Sequence, residues 1–196
     1  MSGEAGRKAS TKQAPGSLDL VRRFVNTRNR MRGYDLLGNA EEAGRWLFEA
    51  GYQADMAVGE EELKRLHALR ESLRAILTIH TLGTSEQLRS DAAQLDELCA
   101  SVTLRPGFDL EGRPRLVAVS GGSEQSVEDL LAAAIWAQHT GIWKRLKACA
   151  NEDCRWIFYD HSKNRSGNWC VMEICGSRAK MRTYRQRHNP QASGTS

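Results

Sequence analysis

The sequence predicts an α+β protein. A mainly helical N-terminal domain with one small β-hairpin precedes a small C-terminal ribbon-like module that ends in a basic helix. Three observations carry this expectation. Apolar residues recur with helical spacing from Leu18 to about Thr140, and short extended runs interrupt that period near Val102 and Leu116. Cysteine and positive charge both crowd into the last quarter of the chain.

In the first helix Leu18, Val21 and Val25 share a face, with Leu20 and Phe24 alongside. Asn39, with Glu42 three residues on, caps a second helix through Trp46, Leu47 and Ala50 that stops at Gly51. Leu63, Leu66, Leu69, Leu73, Ile76 and Leu77 hold one face of the longest helix, from about Glu60 to His80. Gly83 ends it, and Thr84 with Gln87 opens a fourth helix carrying Leu88, Ala92, Leu95 and Cys99, the last read as a buried small hydrophobe. Val102–Leu104 and Leu116–Val119 are expected as strands, connected through Pro106, Gly107, Gly112 and Pro114. Beyond Gly121 and Gly122, Val127, Leu130, Leu131, Ala134, Ile135 and Gln138 form a fifth helix. The helical domain is thus expected over 18–143 and the module over 144–188, between disordered tails at 1–17 and 189–196.

At 196 residues, 40% of them hydrophobic and 27% charged, the chain is long enough for a domain plus a module and is not wholly disordered. No stretch approaches the run of about 20 apolar residues of a membrane span, so no membrane partner is expected. The polar start, with Arg7, Lys8 and Lys12, lacks the apolar core of a signal peptide, and the expectation is a cytoplasmic protein. The net charge of +4 is unevenly spread: residues 144–188 hold 11 Lys and Arg against 4 Asp and Glu, whereas the remainder holds 17 against 20. That split points to an anionic partner at the C-terminal module.

Four of the five cysteines follow the pattern Cys149-x4-Cys154-x15-Cys170-x4-Cys175. Two close pairs on tight turns, joined by a connection long enough to fold back, suit one tetrahedral Zn²⁺. Disulfides are disfavoured in a reducing compartment, and the polar Asn151-Glu152-Asp153 turn disfavours buried free thiols. Four thiolates leave no position for substrate, so the expected zinc is structural. A module of about 45 residues buries too little apolar surface to hold itself together, whereas metal binding supplies on the order of 10 kcal/mol. Lys147, Arg178 and Lys180 are placed to offset the formal −2 charge of a four-thiolate zinc site. His161 and His188 are not needed as ligands.

Between the pairs, Arg155–Tyr159 is a strand-like aromatic run, and Asp160–Asn168 is a loop presenting Lys163 and Arg165. Ser177 is expected to cap a helix running to about Arg187. At 100° per residue, Arg178, Arg182 and Arg185 fall within about 60° of arc, an anion-binding stripe to which Lys180 and Arg187 add charge. Met181, Tyr184 and His188 form an adjoining stripe expected to pack on the zinc core.

These residues resemble a known family, bacterial proteins with an N-terminal ABATE domain and a C-terminal CGNR zinc finger. The resemblance rests on Leu146–Cys149, Asp153–Asp160, Ser162–Ser166, Trp169–Glu173 and Cys175–Lys180, with a looser N-terminal match at Phe24–Thr27, Trp46–Gly51 and Leu69-Arg70. Ser177 stands where the motif that names the finger has Asn, and Gly167-Asn168 stands where the family carries a basic pair. The resemblance implies a DNA-binding finger, with RNA as a further target, and a sensing N-terminal half of a stress-induced transcription regulator.

The leading expectation is a zinc-dependent nucleic-acid-binding protein, a DNA-binding transcriptional regulator whose helical domain senses a small-molecule effector or forms a homodimer. The alternatives are an RNA-binding protein using the same finger and, third, a small-molecule-binding protein or enzyme acting through the N-terminal domain. Asn26, Thr27 and Arg70 are polar residues within apolar patterns and are the candidate pocket; interhelical hydrogen bonds and an ion pair are the other reading. No nucleophile–base pair, phosphate loop or distinctively spaced carboxylate pair is present, so no catalytic residue is expected.

Overall fold

The computed structural model describes residues 12–52 and 58–188, without the side chains of Leu88, Gln186 and Arg187. Residues 1–11 and the expected tail at 189–196 lie outside the described residues. The elements are α1 (Leu18–Val25), β1 (Arg28–Asn29), β2 (Tyr34–Asp35), α2 (Ala40–Glu49), α3 (Glu60–Leu82), α4 (Glu86–Cys99), β3 (Leu104–Phe108), β4 (Pro114–Ala118), α5 (Gly122–His139), β5 (Leu146–Ala148), β6 (Ile157–Tyr159) and α6 (Ser177–His188). A 3₁₀ turn, Trp143–Arg145, precedes β5, and a π-helical turn, Met172–Gly176, runs directly into α6.

The helices form where the sequence signals them. Asn39 caps α2 through a 2.9 Å hydrogen bond from the Glu42 N–H. Gly83, at φ 82°, ends α3 in a conformation that favours glycine. The strands pair as three antiparallel two-stranded ribbons, β1–β2, β3–β4 and β5–β6. The β3–β4 ribbon is longer than expected: Pro106 and Gly107, read as connection, pair with Leu116 and Arg115. In a two-stranded ribbon the outer side of each strand has no partner, so the missing N–H of a proline is tolerated there. Asp109 closes the turn by accepting from the Glu111 and Arg113 N–H groups, both at 2.9 Å.

Phe24 and Val25 of α1, Leu69, Leu73 and Leu77 of α3, and Val127 and Leu130 of α5 form one core. Leu146, Ala148, Ile157 and Tyr159 of β5–β6 belong to the same cluster, so the helices and the first ribbon of the cysteine-bearing segment share it. Each fully buried Leu or Ile here contributes about 1.5–3 kcal/mol relative to exposure.

The expected disordered start is too long. The Lys12 carbonyl accepts from the Tyr159 N–H at 3.0 Å, and buried Ala14 donates its N–H to Asp19 at 2.9 Å. Lys12 thereby covers part of the free edge of β6, which would otherwise present unpaired backbone groups. Among the described residues no helix is long and apolar enough to cross a membrane.

Candidate metal centre and basic helix

The β5–β6 ribbon positions the first cysteine pair. Cys149 follows β5 and donates its N–H to the Trp156 carbonyl at 2.9 Å, while the N–H groups of Cys154 and Arg155 both reach the Asn151 carbonyl at 3.0 Å. Arg155 takes φ 46° where this tight turn leaves the ribbon. The second pair is brought in by Ala150, whose N–H donates to the Asn168 carbonyl at 2.8 Å, and by the π-helical turn, where the Cys175 N–H reaches Val171 at 2.9 Å. At Gly176 a Cβ would lie 2.4 Å from the Met172 sulfur and 3.3 Å from the Trp169 ring, so a larger residue there would displace the exposed Met172 side chain.

The four Sγ atoms of Cys149, Cys154, Cys170 and Cys175 lie within 4.8 Å of one another. Cys154 and Cys170 are 3.6 Å apart, and Cys170 and Cys175 3.8 Å. A tetrahedral zinc with Zn–S bonds near 2.3 Å has sulfur–sulfur edges of about 3.8 Å, so the donor set fits. Its electrostatics also call for a cation. Hydrogen bonds from Cys154 and Cys170, with backbone N–H groups of Cys170 and Asn151, hold the Cys149 thiol low. Sharing those bonds pushes Cys154 and Cys170 up, because a second thiolate in so small a volume is repelled. A dication reverses that repulsion and takes all four sulfurs as thiolates. The Asn151 amide donates towards Cys175 Sγ at 3.9 Å and orients the ligand from outside. The site is a structural Zn²⁺ site with a closed ligand sphere.

Lys147 does not offset the charge of the zinc site. Its buried ammonium donates to Asp160 at 2.8 Å and to the carbonyls of Arg165 and Gly167. Burial alone would raise the Asp160 carboxyl, but Lys147, Ser162 and the Gly167 N–H outweigh it and hold Asp160 far below the usual carboxylate range. Gly167 is needed for this approach, since a Cβ would stand 2.8 Å from an Asp160 oxygen. The Gly167-Asn168 departure therefore shapes the loop, with Lys163 and Arg165 exposed on it.

Helix α6 corrects two expectations. Ser177, at φ −66° and ψ −41°, is a helical residue and not a cap, because the π-helical turn feeds the helix without a break. Met181 and Tyr184 do not pack on the zinc core; they are 53% and 58% exposed, and of the described α6 side chains only Ala179 is half-buried. Helical spacing predicts the stripe, but among the described residues no element lies opposite it. Arg178, Arg182 and Arg185 do converge, lining a groove of about 640 Å³ with Glu173, Ile174 and Met181. Arg182 stands 4.0 Å from exposed Asp153, a contact of little energy. Lys180 is exposed, and the side chain of Arg187 lies outside the described residues.

The candidate pocket of Asn26, Thr27 and Arg70 is not one. Asn26 accepts from the Ile157 N–H at 2.8 Å and donates to the Ile157 carbonyl at 2.9 Å. Thr27 donates to Phe24 at 2.8 Å and accepts from Arg70 at 3.1 Å. Arg70, 2% exposed, closes a bidentate pair with Asp35 at 2.5 and 2.8 Å, and only borders a shallow cleft beside His67. Asn26 instead serves the edge of β6. The edge of β5 is served by α3, where His80 Nδ1–H and the Thr81 hydroxyl donate to Leu146 and Ala148 at 2.8 and 2.6 Å. Arg74, which no sequence signal singled out, ties α3 to the cysteine turn through the Arg155 carbonyl at 3.0 Å.

A thiol-held ribbon carrying an exposed basic helix, docked on a helical body, puts the chain in the class of zinc-finger proteins. The family model for the CGNR zinc finger matches residues 145–188, and ABATE, described as "Putative stress-induced transcription regulator", matches residues 18–140. The chain belongs to the ABATE family. No curated protein matches it.

Proposed function

We propose that the protein is a zinc-dependent transcriptional regulator that grips duplex DNA by its phosphates through α6 and the Lys163–Arg165 loop. The observation that carries the reading is the exposed stripe of Arg178, Arg182 and Arg185 on a helix that stands clear of the protein body. Exposed guanidiniums are the donors that phosphate recognition uses, and three of them outnumber the two nearby acidic side chains, Asp153 and Glu173. The stripe spans about 10 Å along the helix, enough for two or three successive phosphates. With one or two further contacts from Lys180, Lys163 or Arg165, about 3–5 phosphates are neutralised, giving a log–log salt slope of about −3 to −4.5 on duplex DNA. Arg182→Ala is expected to flatten the slope by about one unit and to weaken binding similarly across sequences. Binding indifferent to salt and to triple replacement of Arg178, Arg182 and Arg185 defeats the reading.

A second reading is favoured by Tyr184, exposed beside Arg185 with its ring stacked 4.0 Å from His188. Such a surface suits stacking on unpaired bases of RNA. Competition between duplex DNA and single-stranded RNA decides, with RNA winning only if Tyr184→Ala weakens its binding selectively.

A further inference from the structure

A cleft of about 660 Å³ opens between α3, α4, the β1–β2 loop and the first cysteine turn, a volume within the range of small-molecule sites. Positive charge dominates it. Glu71 is shared by three guanidiniums, Arg70 and Arg74 at 3.1 Å and Arg28 at 3.9 Å. Asp35 is taken by Arg70, and Asp91 on the α4 wall accepts from Gln87 at 2.8 Å. Arg30 has no ion pair among the described residues, yet it borders the same cleft as Arg28, Arg74 and Arg155.

Four arginines line the cleft (Arg28, Arg30, Arg74 and Arg155) against two carboxylates (Glu71 and Asp91), leaving a formal excess of two positive charges. Arg74 registers the imbalance. Burial pushes its guanidinium below the ordinary range, Glu71 opposes this, and the like charges of Arg30 and Arg70 push the same way as burial. The cleft also touches both halves of the chain: Arg74 holds the Arg155 carbonyl, and the Arg155 guanidinium donates to the carbonyls of Cys149 and Ala150 at 3.3 and 3.2 Å.

We propose that this cleft is the binding site of a small phosphorylated compound, its phosphoryl group bridging Arg28, Arg30 and Arg155 and its polar body lying along Gln87 and Gln94. A phosphate monoester carries nearly the two negative charges that the cleft lacks, whereas a carboxylate supplies one. Planar guanidiniums on two sides match phosphoryl oxygens bidentately. The site is separate from the α6 stripe and does not depend on the DNA-contact reading.

The test uses the full-length zinc-loaded protein, with millimolar inorganic phosphate, AMP or adenosine at matched ionic strength. Phosphate and AMP are expected to raise the melting temperature by about 3–5 °C at ten times their Kd, and adenosine to leave it unchanged. Arg30→Ser, which removes an unpaired charge, is expected to keep or raise the melting temperature of the free protein and to weaken phosphate binding about tenfold or more. Arg182→Ser is expected to retain the full phosphate response. Several results overturn the proposal: no response in the unaltered protein, an equal response in Arg30→Ser, or loss of the response in Arg182→Ser. Weaker duplex binding in Arg30→Ser without any phosphate response also overturns it and assigns the cleft to the nucleic-acid surface. Failure of duplex binding with the phosphate response intact strikes only the DNA-contact reading.

Discussion

Replacing Asn26 tests whether the helical half holds the finger through backbone pairing. The Asn26 amide, 6% exposed, is the partner of both the Ile157 N–H and the Ile157 carbonyl. Asn26→Ala strands these two buried groups, each worth about 1–3 kcal/mol when left unmade. With partial relaxation, a loss of about 3 kcal/mol is expected, or about 6–12 °C of melting temperature for a chain of this length. Asn26→Asp keeps the acceptor for the N–H but turns a carboxylate oxygen towards the Ile157 carbonyl. At pH 7 it should be at least as damaging as Asn26→Ala. As pH falls towards 5 the buried carboxyl protonates, regains a donor and should recover relative to Asn26→Ala. Urea unfolding followed by tryptophan fluorescence gives the free energies, and hydrogen exchange at the Ile157 amide locates the effect. A loss under about 0.5 kcal/mol for Asn26→Ala, or full stability of Asn26→Asp at pH 7, would refute the reasoning.

Metal analysis should find about one zinc per chain, and Cys170→Ser should lose it. Because β5–β6 lies in the common core, that loss should expose residues 160–188 to protease and also lower the melting temperature of the helices; a metal-free chain that is protease-resistant over 149–188 contradicts this. Burial depresses the imidazole of His80 from its ordinary value of 6.5, the Leu146 carbonyl opposes this, and Lys144 and Lys147 add to the depression. Between the depressed value and 6.5 the unfolded chain binds the extra proton, so stability should be complete above 6.5 and fall as pH drops through that window. His80→Gln should show a shallower fall than the unaltered protein, and equal slopes would exclude His80 as a contributor.

Most of the helical body was legible because α1, α2, α3 and α5 each show an apolar period, which in α2, α3 and α5 is bounded by a cap or a glycine. The cysteine spacing was equally legible, since ligand geometry depends on local turns. What escaped was long-range. Asn26 was visible as a polar residue in an apolar pattern, but its partner lies 131 residues away, and nothing local distinguishes a pocket from an edge pairing. Arg74 sits one turn beyond Arg70 and reads as an ordinary solvated charge until the Arg155 carbonyl is seen against it. The two-residue strands β1 and β2 are too short to show a period. Periodicity also gave α6 its stripes, but a stripe says only what a helix offers, not what surface it meets.

Both edges of the β5–β6 ribbon are occupied by atoms from elsewhere in the chain, His80 and Thr81 on one side, Asn26 and Lys12 on the other. This makes the finger a poor transplant. Excised at Lys144 and fused to another protein, it would keep its four thiols and lose the bed of Leu146, Ala148, Ile157 and Tyr159 together with the partners of its outward backbone groups. Recombination that exchanges such fingers between helical bodies is therefore confined to bodies that supply an amide at the end of α1 and a donor pair at the end of α3. The two halves are bound to change sequence together along that seam, whatever either half recognises.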